Sequence, residues 1–168
     1  MEPTQDRSVG GPTNHLPHER LEKTNIAFAV LAATALSGAA TNDASKVTTY
    51  TIALSGVAES NFAHPDGGTG DLDGTGVVKL KIDPGRKQVC YDFKLSGLST
   101  PLMAHIHEGR PLSNGPPVVT LFTGPGANLD GCVIWLHGQL AEIVANPSGF
   151  YVSIETTEFP DGALRGQL

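Results

Sequence analysis

Two histidines separated by one residue are the side chains in this sequence best suited to chemistry, in the segment His105-Ile106-His107-Glu108. On a β-strand, residues two apart project from the same face, so the two imidazoles would stand side by side with their Cα atoms about 7 Å apart. Two imidazoles so placed can bind one metal ion, and zinc or copper takes three or four ligands in all. Further candidate ligands are His64, in a predicted loop, and His137, in a predicted strand.

The same two histidines have a structural interpretation. Polar rings half inside a β-protein must be hydrogen-bonded, and backbone groups at the start of a strand can bond both rings without a metal. His137 is likewise more often a half-exposed strand residue than a ligand. The residues alone therefore leave a metal site and a structural pair open.

Other patterns that carry chemistry are weaker. The sequence contains no Gly-x-Ser-x-Gly motif, phosphate-binding loop or dinucleotide fingerprint. Asp66, Asp71 and Asp73 would suit calcium, but position twelve counted from Asp71 is Ile82, where an EF-hand requires Glu. A Gly-rich turn is the preferred interpretation. We identify no catalytic residue and favour a protein that is not an enzyme.

The charge of the chain excludes one class of partner. The formal net charge is −6, and 11 Lys and Arg are scattered over 168 residues. No basic field is therefore available to collect phosphate groups. We expect no nucleic-acid partner.

Short strands joined by turns must position the histidines. With 20 Gly and 12 Pro, the composition suits many short strands better than long helices, and the spacing is typical of a sandwich or barrel. Residues 76–83 alternate clearly, with Val78, Leu80 and Ile82 on one face. The other predicted strands cover residues 47–56, 88–97, 104–109, 118–122, 132–138, 150–156 and 162–168. Residues 139–146 predict one short helix, which Pro147 ends.

A segment near the start of the chain predicts export. Residues 26–35 read IAFAVLAATA, an apolar run of the length of a signal-peptide core and too short to span a bilayer. Lys23 precedes it and small residues follow, so we predict a signal peptide over residues 23–40. The alternative is a buried core element. Residues 1–22 are polar and aperiodic, which indicates a disordered leader or a mis-called start. We expect one mature domain, residues 41–168, that has no membrane span. The mature protein is expected to be secreted or periplasmic.

The two cysteines, Cys90 and Cys132, are predicted to form a disulfide. Disulfides persist in the oxidising compartments that exported proteins enter. A closed loop of this size stabilises a domain by about 4 kcal/mol in the loop-entropy model. A metal thiolate or a reactive thiol is the alternative, although neither cysteine has a CxxC partner or an adjacent histidine.

Three segments taken together resemble one family. They are AHIHEG followed by NGPPVVTLF, the cysteine pair in VCYDFKLSGL and GCVIWL, and the C-terminal FYVSIETTEFPDGALRGQL. Over residues 47–168 these segments are similar to the CHRD domain, described as a repeat in chordin and common as a single domain in exported bacterial proteins. The resemblance implies a Greek-key β-sandwich, immunoglobulin-like, with likeness to copper/zinc superoxide dismutase.

The resemblance also bears on the site. CHRD proteins often carry a third histidine in a C-terminal YVNVH segment, and the matching position here is Glu155. Superoxide dismutases place copper on a similar His-x-His strand, but their full histidine set and long zinc loop are missing, which speaks against superoxide chemistry. With His105 and His107, Glu155 would complete a 2-His-1-carboxylate set, which suits zinc or iron more than copper.

Two functional hypotheses follow. The first is a non-catalytic, exported β-sandwich that binds a protein or a cell-surface component, as the secreted antagonist chordin implies by analogy. The second is a protein that binds zinc, copper or iron, with redox or hydrolytic chemistry as an option. In either case Arg165, flanked by strand residues, is expected to pair with a carboxylate, Glu108 or Glu158.

Overall fold

The structure is a computed structural model that describes residues 43–59 and 70–168. The predicted leader, signal peptide, His64 and Asp66 lie outside these residues. In the described part, the elements are β1 Thr48–Ser55, β2 Thr75–Asp83, β3 Gln88–Ser96, β4 Pro101–Glu108, β5 Pro117–Thr123, β6 Asp130–Ile134, α1 Gln139–Ala145, a 3-10 turn Pro147–Gly149, β7 Phe150–Thr156 and β8 Leu164–Gln167. The prediction of a mostly β protein with one short helix is confirmed.

All strand pairs are antiparallel, in the order β5-β4-β7-β8-β1-β2-β3-β6. β1 and β8 are joined by one residue pair, Ser55 opposite Arg165, so the sheet consists of two four-stranded halves with a narrow connection. β5 and β6, at the two ends of this order, contact each other, and the sheet therefore nearly closes. The Greek-key sandwich stays a prediction.

The β2–β3 hairpin illustrates how the sequence pattern produces the core. Val78, Leu80 and Ile82 are fully buried, as the alternation predicts, and Lys79 and Lys81 between them are exposed. The pair Asp83 and Gln88 closes the ladder. Burying such a side chain stabilises the fold by about 1.5–3 kcal/mol, and these strands therefore fix one wall of the interior.

Helix α1 covers part of the same interior. Its buried residues are Leu140, Ile143 and Val144, at the helical spacing that predicts the element. Pro147 begins the 3-10 turn that follows Asn146. The helix prediction is therefore confirmed to within one residue of its end.

The strand predicted over residues 132–138 is shorter than expected. β6 ends at Ile134, and the Trp135 N–H then donates to the Lys87 carbonyl at 2.7 Å. The Trp135 indole N–H donates to the Gln139 side chain at 3.2 Å, which turns the chain towards α1. His137 consequently lies in a connection and not in a strand.

The predicted disulfide is formed. The sulfur atoms of Cys90 and Cys132 lie 2.03 Å apart, and the two residues are directly opposite each other on β3 and β6. Their neighbour Val89 points into the core, so the bridge lies on the outer face of the sheet. It connects the end strand β6 to β3 across 42 residues of sequence.

None of the helices in residues 43–59 and 70–168 has the length and apolar character needed to cross a bilayer.

Candidate metal centre

The His105-Ile106-His107 segment lies in β4, and its alternation places the histidines on the outer face. Ala104 and Ile106 are fully buried in the core, so His105 and His107 project to the other side. In the pairing of β4 with β7, His105 is opposite Ser153, His107 is opposite Tyr151, and Met103 is opposite Glu155. Glu155 is thus a diagonal neighbour of His105, within reach of both imidazoles.

These three side chains form one compact cluster. His105 Nδ1 lies 3.1 Å from Glu155 Oε1, and His107 Nε2 lies 3.9 Å from the same oxygen. One candidate ligand atom from each residue lies within 4.8 Å of the others. A tetrahedral ion with ligands at about 2.1 Å separates them by about 3.4 Å. The cluster can therefore close around an ion through small side-chain movements.

Two polar atoms in the cluster are buried without a partner. His107 Nε2 and Glu155 Oε2 have no hydrogen-bond partner among the described residues. The side chains of His105, His107 and Glu155 are only 13%, 14% and 10% exposed. Leaving such an atom unsatisfied costs about 1–3 kcal/mol. A cation held by His107 and Glu155 would provide a partner for these atoms.

The backbone fixes the tautomer of His107. Its Nδ1 lies 2.9 Å from the Gly115 carbonyl oxygen, which can only accept, so Nδ1 carries the proton. Nε2 of the neutral ring is then a lone pair, the form that binds metal. Gly115 is needed here because a Cβ would collide with the Glu108 carbonyl. The structural interpretation of the histidines therefore accounts for only one nitrogen of His107.

The electrostatics of the cluster favour an ionised Glu155. Burial raises the pKa of this carboxyl, but the hydrogen bond from His105 and the closeness of both imidazoles outweigh burial and lower the pKa overall. A carboxylate and two imidazoles form a mixed nitrogen and oxygen ligand set, which binds zinc and iron(II).

Glu59 is a second buried carboxyl at the site and was not among the residues predicted from the sequence. It is 4% exposed, and Ser153 Oγ donates to its Oε2 at 3.2 Å. Burial raises the pKa of Glu59. With His107, Ser153 and Glu155 it lines a cavity of about 250 Å³. Its neighbours in the sequence, Ala58 and Ser60, form no periodic pattern that would indicate burial.

Of the two other predicted ligands, His137 is not in the cluster. His137 is exposed, and its ring packs against Trp135 at 5.1 Å between centroids. It follows β6 and does not belong to the group around Glu155. His64 lies outside the described residues. Of the calcium candidates, Asp71 is buried, and its Oδ1 accepts the N–H groups of Asp73 and Gly74, as a turn residue does.

Arg165 has different partners from the predicted ones. Glu108 and Glu158 are both exposed, and neither forms an ion pair with Arg165. Instead, the Arg165 guanidinium lies 3.4 Å from the centroid of the Tyr151 ring and donates to the Arg110 carbonyl at 2.8 Å. These partners follow from the direction of the side chain, because Arg165 projects from the outer face of β8, where the loop after β4 supplies carbonyl groups.

Comparison with known proteins agrees with the resemblance noted in the sequence. No curated protein and no solved structure matches the chain. Residues 50–168, most of the chain and all of β2 to β8, match the CHRD domain. The chain therefore belongs to the CHRD domain family.

Proposed function

We propose that this protein is an exported CHRD-domain protein that holds one divalent transition-metal ion, zinc or iron(II), with His105, His107 and Glu155. The observation that carries the proposal is that His107 Nε2, which is buried and has no hydrogen-bond partner, lies 3.9 Å from Glu155 Oε1. This distance is too long for a hydrogen bond and is close to the separation of two ligands of one ion.

The proposed role of the ion is structural and not catalytic. It would tie β4 to β7 on the face that the loops cover, and it would satisfy the two unpartnered atoms. An ion that binds only the folded state stabilises it by about 2.7 kcal/mol at a free concentration of 100 times Kd. Binding of a protein or cell-surface component by the domain, as the family implies, stays a prediction.

Export is supported by the apolar segment of residues 26–35 and by the Cys90–Cys132 disulfide, because disulfides persist outside the reducing cytosol. The division of the sheet into two four-stranded halves supports the Greek-key sandwich as the finer description of the fold.

The test is metal analysis of the protein purified from the full-length gene after export. We expect one equivalent of zinc or iron, and a higher melting temperature when the ion is added to chelator-treated protein. The double variant His105→Ala, His107→Ala and the single variant Glu155→Gln are expected to lose both effects.

Matched controls exist for each change. His137→Ala removes an exposed histidine, and Glu158→Gln removes an exposed carboxylate three residues from Glu155. Both controls should retain the ion. Metal-free wild-type protein whose melting temperature does not respond to zinc, iron(II) or copper would refute the proposal, as would full metal content in the double histidine variant.

A further inference from the structure

The loop between β4 and β5, residues 109–116, lies on the outer face of β7 and β8. Arg165 donates to the Arg110 carbonyl at 2.8 Å and to Asn114 Oδ1 at 3.4 Å. The Gly115 N–H donates to the Tyr151 hydroxyl at 3.3 Å. The loop is therefore attached at several points to side chains of the two strands.

The same loop supplies the carbonyl that fixes the His107 ring. The Gly115 oxygen accepts from His107 Nδ1 at 2.9 Å. A shift of the loop would move this oxygen, and the imidazole would then be free to rotate or to exchange tautomers. The groups that hold the loop therefore act on His107 indirectly, through the Gly115 carbonyl.

Arg165 reaches His107 by a second route, through the Tyr151 ring. Its guanidinium lies 3.4 Å from the ring centroid, and the His107 ring stacks on Tyr151 at 4.9 Å with an interplanar angle of 14°. Because β7 lies between β4 and β8, the two side chains approach the tyrosine from opposite sides. Arg165, Tyr151 and His107 therefore form one stack across three strands.

The stability of the fold does not by itself explain why Arg165 is buried. The residue is 2% exposed, and the hydrogen bonds described for it go to neutral acceptors, while the charge of the buried Glu59 carboxyl acts on it without a described hydrogen bond. Burying a guanidinium is costly unless it is well bonded, and hydrophobic replacements of buried charges are often as stable or more so. A planar group that both stacks and donates in two directions is what arginine alone provides.

We propose that Arg165 is a positioning residue for the metal ligand His107. By holding residues 110–114 of the loop and the face of Tyr151, it fixes the plane and the tautomer of the imidazole, so that Nε2 points at the ion. This inference rests on the proposed metal site. Residues that orient a ligand histidine typically change metal affinity by about 10–100-fold when replaced.

The test uses the exported full-length protein with Arg165→Met and Arg165→Lys. The first variant removes the charge at similar volume, and the second keeps the charge without the planar fork. Arg86→Met is the matched control, since that arginine side chain is 80% exposed. The first readout is the ¹⁵N chemical shifts of the His107 ring in chelator-treated protein at mildly alkaline pH. The second is the Kd for Zn²⁺.

We expect the wild type and Arg86→Met to carry the proton on Nδ1 alone, and both Arg165 variants to show a mixture of tautomers. Zinc affinity should fall about 10–100-fold in the variants with the stoichiometry unchanged. If the Arg165 variants do not fold, Tyr151→Phe takes their place, because it keeps the ring and removes the acceptor of the Gly115 N–H. It should produce the same mixture of tautomers.

Folded variants with an unaltered His107 tautomer, or with a zinc Kd within twofold of the wild type, would overturn the positioning role. If the wild type binds neither zinc nor iron(II) and the variants still show mixed tautomers, the metal site is refuted while the control of the His107 ring by Arg165 is supported. The two proposals can therefore fail separately.

Discussion

Removal of the Cys90–Cys132 disulfide should lower the stability of the domain by an amount set by the length of the loop that it closes. The bridge closes a loop between residues 42 apart in sequence. For a loop of this length, the restriction of the unfolded chain is worth about 4 kcal/mol at 25 °C. Small domains are stable by about 5–15 kcal/mol, so this bond supplies a large share of the total. We therefore expect Cys90→Ala, Cys132→Ala to lower the free energy of unfolding by about 4 kcal/mol.

The structure indicates that few native contacts are lost with the bridge. The Cys132 residue is exposed, and both cysteines lie on the outer face of the sheet, so the change to alanine opens no core cavity. The β3–β6 hydrogen bonds remain available, with Val89 opposite Val133 and Tyr91 opposite Gly131 on either side of the bridge. The expected loss therefore arises in the unfolded state.

Urea unfolding of three samples provides the assay: the oxidised wild type, the reduced wild type and the double variant. The reduced wild type and the double variant should have the same free energy of unfolding. Their m value should exceed that of the oxidised protein, because an unbridged unfolded chain exposes more surface. A loss below about 1 kcal/mol with an unchanged m value would show that restriction of the unfolded chain is not the source of the stabilisation. A double variant less stable than the reduced wild type would instead locate part of the effect in native packing.

Two further predictions test the interior and the second carboxyl. Burial raises the pKa of Glu59 above its ordinary value of 4.5, so the folded protein holds this proton more tightly than the unfolded one. The carboxyl's contribution to stability is then full below pH 4.5 and falls as pH rises through the folded-state pKa. Glu59→Gln should be more stable than the wild type at neutral pH and lose this advantage in acid, as measured by urea unfolding; a pH-independent difference would contradict this. Ile106→Ala should cost about 2–5 kcal/mol, because the side chain is fully buried, while its metal content stays at one equivalent. Loss of the ion from folded Ile106→Ala would show that the two faces of β4 are not independent.

Much of the fold could be predicted because its elements carry local patterns. The β2–β3 hairpin follows from alternation on both strands and a turn at Pro84-Gly85. Helix α1 follows from the spacing of three apolar residues before a proline. The end of β6 could not be predicted, because Trp135 bonds to the distant Lys87 carbonyl and its own side chain is as suited to a strand as Val133.

The site was predictable in part for a similar reason. The spacing of His105 and His107 places them on one face of any strand, and the family resemblance pointed to Glu155. Arg165 was assigned a carboxylate partner, whereas its acceptors include a loop carbonyl, and a backbone group leaves no mark on the sequence. Glu59 could not be predicted, because its burial depends on contacts with residues distant in sequence, and these leave no periodic pattern around it.

The complete burial of strand β7 limits the substitutions that this domain tolerates. Every residue from Phe150 to Thr156 is buried, although the segment alternates between apolar and polar side chains as a half-solvated strand would. Loops, and not solvent, therefore cover the polar side of the strand. No position along it can be substituted freely to improve solubility. A library of random substitutions should find this strand intolerant on both sides, with the polar positions rejecting apolar residues as strictly as the reverse.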